Sequence, residues 1–183
     1  MHLSISEALP LPALEVFHLL RDDMPALVPF LHDVERIEVL ERAEDGDTVR
    51  IHNLWQGSLA RVPGPARPFV SAEMVSWSDH ASWSTARMQA AWRLEPRIGA
   101  RIFTCQGTTT VLPDGERSRL QLEVDLEVYP ERVPGVPSLI ARRVRGPVEE
   151  TIAGQIRPNL ENLAGSIRAY AARVRPDGRR PPG

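Results

Sequence analysis

The sequence predicts an α+β domain: an antiparallel sheet of about seven strands, two short helices near its start and one long C-terminal helix. Three observations predict it. From Glu35 to Val128, segments alternating apolar and polar residues recur with hairpin-length breaks between them, the period of two that strands show. Ahead of them, after an opening alternating segment, Leu14, Val16, Phe17 and Leu20 form a stripe at helical spacing. After Pro137 the period becomes helical for about six turns, so one long helix is available to cover the apolar side of the sheet.

The elements follow in chain order. Leu3 and Ile5 alternate with Ser4 and Ser6, a half-buried strand. Pro12 suits the first turn of a helix that ends near Asp22 or Asp23, and Pro25 starts a second short helix or turn reaching Asp33. Ile37 and Val39, the turn Glu44-Asp45-Gly46-Asp47, and the row Val49, Ile51, Asn53 and Trp55 make a hairpin. Pro63, Gly64, Pro65 and Pro68 place a loop over Arg61–Pro68. Phe69–Trp77 reads as a strand and Ser78-Asp79-His80 as a turn; Ala86, Met88, Ala90, Trp92 and Leu94 then line the apolar face of a long strand. A threonine-rich strand, Arg101–Val111, turns at Leu112-Pro113-Asp114-Gly115. The most regular strand follows, with Leu120, Leu122, Val124, Leu126 and Val128 opposite Gln121, Glu123, Asp125 and Glu127. Breakers fill Tyr129–Pro137. Ser138–Arg145 is a leading amphipathic turn that Gly146-Pro147 breaks off. The main helix runs from Pro147 to about Val174, with Val148, Ile152, Ile156, Leu160, Leu163, Ile167 and Tyr170 toward the sheet. Pro158 predicts a kink in it. Residues 1–174 read as one domain and 175–183 as a disordered tail.

Composition narrows the function. Hydrophobic residues are 42% and charged residues 25%, the balance of a globular chain. A formal charge of −2 supplies no basic field for nucleic acid or an anionic membrane surface. All 22 basic residues are arginine, as a genome rich in guanine and cytosine would give, so Schiff-base lysine chemistry is excluded. Cys105 is the single cysteine and suits a reducing compartment. The start of the chain shows no export signal, and no apolar run approaches the roughly 20 residues of a membrane span, so a cytoplasmic protein with no integral membrane segment is expected.

Trp92-Arg93-Leu94-Glu95, Cys105-Gln106-Gly107-Thr108, Asp114-Gly115 with the strand to Val128, and Pro134-Gly135-Val136-Pro137 leading into the helix together resemble the START-like superfamily. That superfamily includes the polyketide cyclases and the birch pollen allergen, and the resemblance spans roughly the whole ordered chain. It implies a helix-grip fold: a curved sheet, the terminal helix across it, and an apolar cavity between the two. Gly146-Pro147 and Pro158 depart from the more continuous helix of many relatives.

No catalytic constellation is visible. His2, His18, His32, His52 and His80 do not pair with one another or with Cys105 at metal-ligand spacing, so neither a metal site nor a cofactor is expected. No glycine-rich nucleotide fingerprint occurs. His52 reads as a surface histidine and Cys105 as a small buried hydrophobe. Arg87 belongs on the solvated face unless a bulge reverses the register, when it would enter the cavity and pair with an anionic ligand. Asn53 shares a face with Ile51 and Trp55, and is either a satisfied core amide or a polar contact for a ligand.

A hydrophobic small-molecule ligand (lipid, quinone or polyketide-like) is therefore the expected partner. Its pocket is expected to be lined by Ile51, Asn53, Trp55, Met74, Met88, Trp92, Leu122, Val124, Leu126, Ile152, Ile156 and Leu160. The alternatives are an aromatase/cyclase-type enzyme, which the resemblance permits, and a non-catalytic interaction module with a filled interior. The sequence leaves the oligomeric state open.

Overall fold

A computed structural model of the 183-residue chain describes residues 1–61, 68, 70–98, 103–132 and 137–174, with the backbone alone at 61, 138, 148 and 151–159. Strand β1 (His2–Leu9) leads into helix α1 (Ala13–Asp22) and a 3-10 helix (Met24–Phe30). Strands β2 (Val34–Asp45), β3 (Thr48–Gly57), β4 (Ser76–Ser84), β5 (Gln89–Pro96), β6 (Phe103–Asp114) and β7 (Arg117–Val128) follow, and helix α2 (Ser138–Val174) ends the fold. The strands form one antiparallel seven-stranded sheet in the order β1-β7-β6-β5-β4-β3-β2. Consecutive strands from β2 to β7 pair as hairpins. The first strand pairs with the last, so α1 and the 3-10 helix carry the chain from one edge of the sheet to the other.

Local chemistry sets the hairpins. The β2–β3 and β6–β7 strands are joined by two residues each, and Gly46 and Gly115 take the left-handed conformations (φ 58° and 59°) that so short a turn demands. The Asp-Gly signals mark both turns as foreseen, but Leu112-Pro113-Asp114, foreseen within the second turn, is still paired in β6. On β7 the alternation is complete: Leu120, Leu122, Val124, Leu126 and Val128 are all buried, each at 2% exposure or less. Helix α1 buries Val16, Phe17, Leu19 and Leu20, and Phe17 meets Trp83 edge to face with ring centroids 5.4 Å apart. On α2, Leu160, Leu163, Ile167 and Tyr170 face the core as their spacing predicts, with Ala164 and Ile167 fully buried. The helix packs along β1, β7 and the 3-10 helix, where the Ser166 hydroxyl donates to the Phe30 carbonyl at 2.9 Å and Arg168 pairs with Glu7.

Three expectations are corrected. The strand foreseen over Phe69–Trp77 begins only at Ser76, because Ala72–Val75 forms a 3-10 turn closed by Ser71 and by the Ser76 hydroxyl, which donates to the Ala72 carbonyl at 2.6 Å. Ser78-Asp79-His80, foreseen as a turn, lies mid-strand in β4. Pairing on both sides, to Leu54, Asn53 and His52 on β3 and to Glu95, Leu94 and Arg93 on β5, overrides the turn propensity of the tripeptide. The turn instead occupies residues 85–88, so the strand expected from Ala86 starts at Gln89. Asp47 anchors that turn, accepting from the Ser84 hydroxyl at 2.6 Å and the Ala86 N–H at 2.8 Å, and Met88 adopts φ 50° there.

The third correction concerns α2, whose helical backbone runs unbroken through Gly146-Pro147. Both residues are exposed, so the ring has room, and the leading turns are held by buried Ala141 and by an Arg145–Glu131 ion pair at 2.9 Å. One missing N–H does not end a helix anchored on both sides. The backbone is also helical at Pro158, whose side chain, with those of Val148, Ile152 and Ile156, lies outside the described residues, as do the foreseen loop at 62–67, the connection at 133–136 and the tail at 175–183.

Candidate functional site

Cross-strand register divides the inner face of the sheet into rows. Ile51, Ala81, Trp92, Gly107, Val124 and Leu3 form one; Asn53, Asp79, Leu94, Cys105 and Leu126 form the next; Trp55, Trp77 and Pro96 begin a third. The first row is apolar. Trp92 lies down on β6 because its partner there is a glycine: a Cβ on Gly107 would stand 2.7 Å from the Trp92 ring and 2.1 Å from the Glu123 carbonyl oxygen. The indole N–H of Trp92 donates to the Thr109 hydroxyl at 3.0 Å, so this ring is both seated and satisfied.

The second row holds two polar groups. Asn53 and Asp79 face each other across β3 and β4, 4% and 8% exposed, and the Asn53 Nδ2 donates to Asp79 Oδ2 at 3.5 Å, the far end of hydrogen-bond range. Trp55 is two residues along β3 and stacks on Trp77 with ring centroids 5.8 Å apart. The other atoms of this cluster, Asn53 Oδ1, Asp79 Oδ1 and Trp55 Nε1, are buried and close no hydrogen bond of good geometry, although the indole lies near enough to Asp79 to pull on its carboxyl. Burial pushes the Asp79 carboxyl up from 3.8 to about 6, and the nearby Asn53 amide and Trp55 indole hold it partly down. A buried carboxyl with unpaired neighbours is costly, and such arrangements cluster where a protein meets a ligand or moves a proton. In the same row, burial pushes the Cys105 thiol up to about 11, which makes it the small hydrophobe foreseen and not a thiolate nucleophile.

Among the residues foreseen for a pocket, Ile51, Asn53, Trp55, Trp92, Leu122, Val124 and Leu126 share the inner face. Ile51 and Leu122 belong to the main core, Val124 and Leu126 to a second cluster with Leu3, Cys105 and Val128. Leu160 bridges the two clusters. Met88 is half-buried in the β4–β5 turn. Met74 is corrected: it sits on the 3-10 turn, 52% exposed, because the strand that would have turned it inward starts later. Ile152 and Ile156 fall where side chains are not described. Asp79 was missed because a Ser-Asp-His string reads as a turn. The signal that finds it is the period of two in Trp77, Asp79, Ala81 and Trp83.

The outer face differs. His52 and His80 stack there at 4.1 Å, His52 Nε2 lies 3.0 Å from the Ser78 hydroxyl, and Arg87 is exposed in the turn. An open groove of about 580 Å³ runs past Glu41, Arg50, His52, His80 and Arg93. Its charges are answered locally, Arg93 by Glu95 and Arg50 by Asp45 at 3.8 Å. Among the described residues, no group of three or more His, Cys, Asp or Glu side chains is placed to hold a metal ion, and no helix is long and apolar enough to cross a membrane.

The model of a family described as "Protein of unknown function (DUF2505)" matches residues 6–157, from β1 into α2. The chain belongs to the DUF2505 family. No curated protein sequence matches this DUF2505 chain. Solved structures do. The Zhui aromatase/cyclase from Streptomyces sp. R1128 is 19% identical with a TM-score of 0.68, the match covering 96% of each chain. A protein from Thermus thermophilus is 20% identical with a TM-score of 0.60 over 92% of this chain and 98% of its own. A START superfamily protein from Mycobacterium smegmatis is 18% identical with a TM-score of 0.55 over 94% and 98%. At such identities the likeness is one of fold, and it shows that the helix-grip fold of START-like proteins and polyketide cyclases is the fold of this DUF2505 chain.

Proposed function

We propose that this protein binds a hydrophobic small molecule between the inner face of the sheet and α2, with the ligand's polar end at Asp79, Asn53 and Trp55. The observation that carries the reading is the cluster itself: three buried polar atoms that close no hydrogen bond of good geometry, set beside the apolar row of Ile51, Ala81, Trp92 and Val124. Leaving one such atom unpaired costs about 1–3 kcal/mol, so a site that keeps three of them has a use for them. Flanking residues suit an apolar body, since Trp92 and Leu94 are half-buried on the same face beside the cluster. The fold supports the reading at the coarse level, because START-like and cyclase structures share it.

Titration with fatty acids, quinones and flat aromatics tests it. Tryptophan fluorescence is expected to change saturably, since Trp55 and Trp92 flank the site. Leu94 is paired in register with Asp79, and Leu94→Trp is expected to fill the space and abolish the response while the thermal transition is retained. A flat response from the unaltered protein across the panel would overturn the proposal.

One observation favours a second reading, an aromatase/cyclase-type enzyme: a carboxyl raised to about 6 in an apolar setting is suited to proton transfer near neutrality. Conversion of a poly-β-carbonyl substrate that disappears in Asp79→Asn, with substrate still bound, would favour the enzyme over the carrier.

A further inference from the structure

We infer that Asp79, Asn53 and Trp55 select apolar ligands carrying an uncharged hydroxyl over those carrying a carboxylate or no polar group. This rests on the binding reading above and names its ligand class. The argument is a count of donors and acceptors. Asn53 turns its Nδ2 toward Asp79, as an ionised carboxylate requires, which leaves Oδ1 as an unfilled acceptor. Asp79 Oδ1 is a second unfilled acceptor, and Trp55 Nε1, near enough to pull on the Asp79 carboxyl without closing a hydrogen bond of good geometry, is a donor open to a better partner.

A hydroxyl is the smallest group that serves both kinds. Its oxygen accepts from the indole and its proton goes to the carboxylate or the amide oxygen. A ligand carboxylate accepts from the indole only, leaves both oxygens unfilled and sets a second negative charge beside Asp79. An ammonium group fills the oxygens and leaves the indole without an acceptor. A pure hydrocarbon leaves all of them unpaired in a drier site. Among the described residues no charged side chain contributes to the field at Asp79, which is governed by burial and by its two neutral neighbours, so none of them invites an anion. With the carboxyl at about 6, Asp79 is charged at pH 7.5 and turns a carboxylate away.

The test is calorimetric titration at pH 7.5 with two matched sets: 2-naphthol, 2-methylnaphthalene and 2-naphthoate; and octanol, octane and octanoate. In at least one set the hydroxyl member is expected to bind about tenfold or more tightly than either companion, the worth of one or two hydrogen bonds. Trp55→Phe is expected to bring the hydroxyl-to-hydrocarbon ratio toward one. Asp79→Asn is expected to narrow the hydroxyl-to-carboxylate ratio. Saturable binding in which hydrocarbon or carboxylate equals the hydroxyl overturns the selection and leaves hydrophobic binding standing. Ratios that both variants leave unchanged overturn the assignment to these residues. Absence of binding by every member of both sets, with a flat response to the wider panel, overturns selection and binding together.

Discussion

The two halves of the inner face are built from the same sheet and treat polarity in opposite ways. On the β6–β7 side, α1 and the last turns of α2 press Phe17, Leu20 and Ile167 against Val111, Leu120 and Leu122, and every one of these is at 2% exposure or less. The one unpaired polar atom there, among the described residues, is the Ser118 hydroxyl. On the β3–β4 side a carboxyl, an amide and an indole share one spot, and three of their atoms close no hydrogen bond of good geometry. Close packing gives the first half its stability. The second half gives some of that stability up, which is the trade expected of a binding surface. Substitutions that act on one half and spare the other put this contrast to the test.

The largest effect belongs to the dry half. Phe17→Ala removes a ring with no exposed area and its edge-to-face contact with Trp83, so a cost of about 3–5 kcal/mol is expected. For a chain of this size that is a fall of roughly 10 °C in Tm. A fall of only a degree or two in a thermal melt would show that this core is not packed as described.

Next is Asp79. Its native pKa, about 6, lies above the 3.8 of an ordinary aspartate, so the folded chain holds the proton more tightly than the unfolded one. Stability from this group is fully present below 3.8 and is lost as pH rises through about 6, to a total of about 3 kcal/mol at 1.36 kcal/mol per unit. Asp79→Asn removes the dependence. The variant is therefore expected to be the more stable protein at pH 8, with the advantage shrinking as pH falls toward 4. Denaturant melts across that range check it, and a difference independent of pH would mean the carboxyl is not desolvated.

How the two halves read from sequence explains why one was legible and the other was not. Leu120 to Val128 and Leu160 to Tyr170 announce their faces by period alone, because a residue buried for packing need only be apolar and correctly spaced. Ile37, Gly46 and Gly115 were equally plain as hairpin signals. Asp79 inverts the rule: it is polar, buried and mid-strand, so local propensity argued for a turn and only pairing with both β3 and β5 settled it. Asn53 was left open between core and ligand contact because the sequence does not show what stands opposite it; the register puts Asp79 there. Met74 failed for a related reason, since a strand start displaced by a few residues puts a different set of side chains on the inner face. The helix stop at Gly146-Pro147 was propensity outweighed by tertiary anchoring at Ala141 and Arg145.

A middle-sized effect joins the halves at Trp92. Gly107→Ala sets a methyl group 2.7 Å from the Trp92 ring and 2.1 Å from the Glu123 carbonyl oxygen, and the carbonyl belongs to a paired strand that moves at a cost. About 1–3 kcal/mol of destabilisation is expected, with a shift in tryptophan emission as the indole lifts from Thr109. Unchanged emission would mean that Trp92 does not depend on the glycine for its seat.

The smallest effect is expected on the outer face, and it decides which face is the site. His52 and His80 stack on each other over a solvated surface, and His80 is 41% exposed beside Glu95 at 3.7 Å. An exposed pair of this kind contributes little, so His52→Ala and His80→Ala should each stay within about 0.5 kcal/mol of the unaltered protein. Ligand titrations should return the same affinity as well, because the side chains at 52 and 80 point away from the row that holds Asn53 and Asp79. An open groove of about 580 Å³ passes these histidines on the outside of the sheet. Chemistry favours the inner face, where polar atoms close no hydrogen bond, over an outer groove whose Arg42, Arg50 and Arg93 already have acidic partners. Loss of binding in His52→Ala and His80→Ala, with binding intact in Asp79→Asn, would reverse that judgement and move the site to the outside of the sheet.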